Sequence, residues 1–173
     1  MDQHHEPIYT ESQRFRQWWL WLLVFISPAV FLLILFNILI FEDGIQQSSI
    51  VIMVIGTMVS LAIPAFLWHT GLDTEVGRLG IRIKFRPFHR TWVEYKFNEI
   101  KKAEACIYRP LMDYGGWGIR YGRKGKGKAY SVSGNSGVLL TFNNNKTILI
   151  GSLDHQSLFS VINDRLINTQ NHL

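Results

Sequence analysis

The chain has 173 residues, 47% of them hydrophobic, and carries 18 Lys and Arg against 13 Asp and Glu, a formal net charge of +5. A single cysteine, Cys106, excludes an internal disulfide and fits a reducing compartment. Apart from Arg14 and Arg16, every Lys and Arg lies after His69, so a greasy first third precedes a basic remainder.

The head, residues 1–17, is polar, has no apolar period and is expected to lie at the surface without regular structure. His4 and His5 have no neighbouring Cys or carboxylate at ligand spacing, so no metal site is expected there. From Trp18 to Phe41 there is no charged residue, and a second uncharged run goes from Ile50 to Trp68. As helices these runs are roughly 36 and 28 Å long, against a hydrocarbon core of about 30 Å. A protein this small has nothing to bury such surfaces against in water, whereas in lipid a helix satisfies its own backbone. The first run is longer than the roughly 7–15 residues of a signal-peptide core, and no small-x-small cleavage site follows it, so an uncleaved anchor is expected.

Two membrane spans, residues 18–41 and 50–68, are therefore predicted, antiparallel because their connection is short. The connecting loop has Glu42 and Asp43 but no Lys or Arg, while both outer flanks are basic. The positive-inside rule then puts head and tail in the cytoplasm, in a cell membrane that would be the inner one if the source is bacterial. Trp18, Trp19, Trp21 and Trp68 fall at one interface, as an aromatic belt requires. Gly56, Ser60 and Pro64 form a small-residue stripe, read as packing against the first helix, with a homodimer seam as the other use. Neither span holds an ionisable residue, which counts against a pump or carrier.

After Thr70 the period shortens to two. Leu79, Ile81, Ile83 and Phe85 alternate with Arg82, Lys84 and Arg86, predicting a strand with one buried and one basic face. Further strands are predicted at Trp92–Phe97, Ala103–Tyr108, Trp117–Tyr121, Ala129–Ser133, Val138–Phe142 and Thr147–Ile150. The last two flank Asn143-Asn144-Asn145-Lys146, a tight-turn composition. Beyond Asp154, a candidate N-cap, Leu158, Val161, Ile162, Arg165 and Leu166 recur at helical spacing. The fold class is thus α+β: a membrane hairpin, then an antiparallel meander of about seven strands over 69–173, closed by one helix.

Arg109-Pro110, Asp113-Tyr114-Gly115-Gly116-Trp117-Gly118-Ile119-Arg120, and the stretch from Tyr130 to Val138 continuing at Ile148–Ser152 carry a resemblance. Together with the two spans they resemble bacterial pleckstrin-homology (PH)-like membrane proteins, over roughly residues 70–167. The resemblance implies a PH-like fold and a binding habit; it brings no catalytic residues.

Gly115-Gly116-Trp117-Gly118 reads as a sharp bend whose Trp plugs the core, or alternatively as an aromatic anchor for a partner. Arg109, Asp113, Tyr114 and Arg120 form either a polar rim around it or a locally paired turn. Gly122–Ala129 nearly spells a P-loop, but Ala129 stands where Ser or Thr must hold Mg²⁺, and a strand follows where a helix is needed. Nucleotide hydrolysis is therefore not expected. Arg120, Arg123, Lys124, Lys126 and Lys128 still make a cationic loop, which suits anionic headgroups or a protein partner, with Arg82, Lys84 and Arg86 adding to it if they lie on the same side. No helix-turn-helix, zinc knuckle or stacking platform points to nucleic acid, and no nucleophile elbow, HExxH or CxxC points to catalysis. The expectation is a membrane-anchored binding or scaffolding protein, without cofactor or metal and not an enzyme, that recognises a protein or anionic lipid and can self-associate. A subunit or assembly factor of a larger membrane complex is the alternative, ahead of a small membrane enzyme or an oligomeric channel.

Overall fold

A computed structural model describes residues 6–41 and 47–170, except for the side chains of Phe41, Lys124 and Gln170. His4, His5 and the acidic loop residues Glu42 and Asp43 lie outside the described residues. The chain divides into two compact units, residues 16–69 and a second unit that joins the head up to Phe15 to everything from Thr70 onward.

The first unit is a helical hairpin of α1 (Trp18–Phe41) and α2 (Gln47–His69), both long and apolar enough to cross a membrane. Their large side chains face outward, as with Leu33 at 64% and Met58 at 69% exposure. The few polar groups are satisfied within their own helix: Asn37 donates to the Leu33 carbonyl, Thr57 to Met53 and Ser60 to Thr57. The small-residue stripe does pack inside the hairpin. Ser60 and Pro64 are buried, and a Cβ added at Gly56 would meet the Phe31 ring at 2.6 Å. Trp21 and Trp68 meet edge to face at 5.8 Å, which fixes the two open ends of the hairpin side by side.

The second unit holds all seven expected strands and two more. β1 (Tyr9–Arg14) precedes the hairpin and β2 (Gly71–Val76) follows it. Next come β3 (Gly80–Arg86), β4 (Val93–Lys96), β5 (Ile100–Ile107), a short helix α3 (Pro110–Tyr114), β6 (Gly118–Tyr121), β7 (Lys128–Ser131), β8 (Ser136–Phe142), β9 (Thr147–Gly151) and α4 (His155–Gln170). The described strands number nine, in a four-stranded sheet ordered β1-β2-β3-β4 and a five-stranded sheet ordered β5-β8-β9-β7-β6.

Two expectations need correcting. The head is not a loose surface segment: β1 pairs antiparallel with β2 along its whole length, from Tyr9 against Val76 to Arg14 against Gly71. The apolar hairpin is therefore an insertion between two neighbouring strands. Nor is the β-domain a plain meander. The β6–β7 hairpin folds to the far edge, β8 returns to β5, and β9 fills the gap, running parallel to β7.

Side chains alternate across both sheets. Leu72, Val76, Ile81, Ile83 and Phe85 of the first sheet face Tyr130, Val138, Leu140 and Ile150 of the second, and Leu158, Ile162 and Leu166 of α4 close the core. Each such burial stabilises by roughly 1.5–3 kcal/mol. Asp154 caps α4 as expected, its Oδ1 accepting from the Ser157 N–H at 3.1 Å, and hydrogen bonding from the Ser157 hydroxyl and N–H holds its carboxyl below the usual range. Asn145 adopts φ 61° in the β8–β9 turn.

The head strand also reaches the second sheet. Gln13, 1% exposed, donates through Nε2 to the Gly151 carbonyl at 2.6 Å. Glu11 accepts from Tyr9 Oη at 2.9 Å, from Ser152 Oγ at 2.6 Å and from the Leu153 N–H at 2.8 Å. A strand with no apolar period is thus held by polar bonds to the second sheet, that of Gln13 buried.

Candidate functional site

The outer face of the second sheet is not bare. Cys106 of β5, Leu139 of β8, Leu149 of β9 and Ala129 of β7 point away from the main core. Tyr108 and Tyr114 cover them, both 6% exposed, meeting edge to face at 5.9 Å. Tyr114 sits there because α3 folds back from the end of β5, with Pro110 opening the helix and Gly115 closing it at φ 73°. The β6–β7 loop meets α3 from the other side. Lys126 Nζ lies 2.8 Å from Asp113 Oδ1, and Tyr114 Oη donates to the Lys126 carbonyl at 3.4 Å. Arg109 adds a longer ion pair to Asp113 at 3.9 Å, and its backbone N–H donates to Asp113 Oδ2 at 2.9 Å.

These bonds pin α3 and the basic loop together as a lid over a cleft of about 300 Å³ lined by Cys106, Tyr108, Tyr114, Lys126 and Leu149. The Lys126 ammonium and the Arg109 N–H hold the Asp113 carboxyl below its usual range. Burial pushes Tyr114 up to about 12, and burial followed by the Glu104 charge raises Cys106. Cys106 is therefore a packed thiol and not a poised thiolate. Leu111 and Met112 of α3 stand outward instead, 66% and 64% exposed.

The structure brings Arg109, Asp113, Tyr114 and Lys126 into this lid, with Arg120 and Arg123 exposed beside it. The Lys124 side chain lies outside the described set. Lys128 is drawn inward, its ammonium 4.7 Å from the Tyr130 ring centre and 5.8 Å from that of Tyr121. Trp117 does not plug the core. The bend is real, with Gly115, Gly116 and Gly118 all at positive φ, but the indole is half-buried at the rim and donates to the Gly134 carbonyl at 2.9 Å.

Arg82, Lys84 and Arg86 do not join the cationic loop. They lie on the outer face of the other sheet, across the core from α3. Arg86 grips Asp73 at 2.8 Å, Arg82 pairs with Glu75 at 2.8 Å and stacks over Trp92 at 5.5 Å, and Lys84 stands opposite Asp73 in register. Two of the three cations of the basic stripe are thus paired by β2, whose acids alternate in phase with it.

Leu111 and Met112 were missed by the sequence reading. Their signal was available: two large apolar residues between Pro110 and Asp113, in a segment too short to bury both faces. Among the described residues, no three His, Cys, Asp or Glu come together as metal ligands.

The fold is of the α+β class, a β-domain carrying two apolar helices inserted after its first strand. No protein-family model matches the chain, and neither does any curated protein.

Proposed function

We propose that the chain is a membrane-anchored binding protein whose PH-like β-domain faces the cytoplasm and offers the α3 lid to a protein partner. The observation that carries this reading is the exposure of Leu111 and Met112 on an element pinned by Asp113 and Lys126. Apolar side chains held rigidly in solvent lose little conformational entropy when covered, and Arg109, Arg120 and Arg123 around them supply the cationic surround that interfaces favour. Two sheets with a C-terminal helix against the core support the PH-like assignment, with the strand before the hairpin and the β6–β7 hairpin as additions. The basic flanks and the acid-bearing loop support the cytoplasmic orientation. Anchoring confines the domain to the membrane plane and raises its effective concentration for membrane-bound partners, including a larger complex it would join or help assemble.

The test is a photo-crosslinker placed at Met112 in native membranes, with Asn144 in the β8–β9 turn as reference. A discrete protein adduct formed from Met112, absent from Asn144 and lost on Arg123→Glu, is the expected result. Adducts to lipid alone, or equal labelling from both sites, would rule the protein-binding reading out. A lipid-only result favours the second reading, in which the same cationic loop meets anionic headgroups.

A further inference from the structure

A sheet edge can take on a further strand, because every second residue along it directs its N–H and C=O away from the sheet. The described strands leave four such edges, and three are short or covered. β4 and β6 have four residues each, and β1 is held against Gly151, Ser152 and Leu153. β5 is the exception, with eight residues paired to β8 on one side only. Beyond that ladder, no described residue hydrogen-bonds the backbone of residues 101–106. Beside this edge runs an open groove of about 500 Å³, lined by residues 101–105 and by Phe159, Asn163, Leu166 and Ile167 of α4. Five consecutive β5 residues reach it, so the groove is bordered by the edge of the strand and not by one face alone.

The edge reads Lys101-Lys102-Ala103-Glu104-Ala105. Lysines on an edge ordinarily repel a second strand, but Glu104 stands on the same face as Lys102, and the two already pair at 2.8 Å with both side chains exposed. This spacing makes the strand complementary to itself. Two copies meeting edge to edge, antiparallel about a two-fold axis normal to the sheet, keep each face on its own side. A residue then opposes only residues of its own face, so the pairing must centre on one residue. Centring on Lys102 or on Glu104 sets like charges against each other. Centring on Ala105 sets Glu104 against Cys106 and leaves Lys102 without a partner. Centring on Ala103 sets Lys102 of each copy against Glu104 of the other, twice. Lys101 lies at the bulge between Ile100 and Lys102, where regular pairing stops. On the core-facing side Ala103 and Ala105 leave room, and α4 offers Phe159, half-buried, and Ile167, 49% exposed, to be covered.

We propose that β5 is a self-association edge, where a second copy of this chain pairs antiparallel, centred on Ala103, and joins the two five-stranded sheets into one. The interface is isologous, with two Lys102–Glu104 pairs on one face of the shared sheet. On the other face both α4 helices lie together, and Phe159 and Ile167 of each line the space that the two grooves make. The bulge keeps the ladder short, so the pairing draws on confinement: copies held in one membrane meet at a raised effective concentration. Leu111 and Met112 take no part, so this edge is independent of the partner assigned to α3.

The experiment uses the purified full chain in phosphatidylcholine liposomes, so that no other protein is present, with Cys106→Ala as background. Lys102→Cys and Glu104→Cys, carrying different tags, are reconstituted separately and as an equal mixture, then oxidised. In the mixed pair the two cysteines stand directly opposite, within disulfide reach, and one Lys102–Glu104 pair remains. In either variant alone they are two residues out of register, roughly 7–8 Å apart and too far to bridge. The mixed adduct should therefore exceed either self-adduct several-fold. Self-adducts as abundant as the mixed one, or no adduct at all, overturn the proposal. Energy transfer between labelled copies gives a second reading. Lys102→Glu and Glu104→Lys should each lower association several-fold, and the two together should restore it, since they exchange the charges without removing them. A double variant no better than the single ones overturns the pairing. Adducts that form in native membranes but not in liposomes mean that another protein brings the copies together, and overturn it as well.

Discussion

Truncating Glu11 tests the least expected feature of the fold, the recruitment of the polar head into the β-domain. Glu11 accepts three hydrogen bonds, from Tyr9, Ser152 and Leu153. A hydrogen bond to a charged group contributes roughly 1.5–3 kcal/mol, less where water can replace the lost partner. Leu153 is exposed and Tyr9 half-buried, so water takes over there, whereas Ser152 is 1% exposed and its hydroxyl is left without an acceptor. The expected loss for Glu11→Ala is thus about 2–3 kcal/mol, equivalent to roughly 10 °C in the unfolding midpoint for a domain of this size. Thermal unfolding of the detergent-solubilised full chain, followed by tryptophan fluorescence, reads the shift. Glu6→Ala serves as the control, because its ion pair with Arg78 is exposed on both sides, 85% and 71%, and at 3.7 Å is worth little. A Glu11→Ala midpoint equal to that of Glu6→Ala would refute the clasp and, with it, the claim that the hairpin interrupts a single folded domain.

Asp113→Ala should release α3 from the β6–β7 loop and speed maleimide labelling of Cys106 several-fold; an unchanged rate would mean the ion pair does not hold the cleft shut. The Asp113 carboxyl is held below the ordinary aspartate value of about 3.9, so its contribution to the lid is complete above that value and is lost as pH falls through its lower folded value. The amide shifts of Gly125 and Lys126 should report this midpoint, and one at or above the ordinary value would contradict the pinning. Gly127→Ala should destabilise by about 2 kcal/mol, since the residue sits at φ 72° with its Cβ position against the Thr147 carbonyl. Leu140→Ala, at 0% exposure between the sheets, should cost roughly 2–5 kcal/mol by chemical denaturation, and a loss under about 1 kcal/mol would place Leu140 outside a packed core.

The sequence by itself determined what depends on pattern along the chain. The lengths of the two apolar runs required helices over residues 18–41 and 50–68, and the structure has them at Trp18–Phe41 and Gln47–His69. Two-residue alternation located seven strands, and helical spacing after Asp154 located α4, because burial of one face leaves a period whatever the neighbouring element is. Tertiary structure decided what depends on which elements become neighbours. Tyr9–Arg14 has no apolar period because Glu11 and Gln13 are held by hydrogen bonds to residues 138–142 positions away, so nothing local marks it as a strand. The Arg82 and Arg86 stripe looked free because its neutralising acids belong to β2, whose register is fixed only when the sheet forms. The pairing of Asp113 with Lys126 likewise needs β6 and β7 to fold back as a hairpin before a short helix and a loop can meet. Periodicity records the side of an element that is buried, while charge compensation and strand order are set by partners distant in sequence.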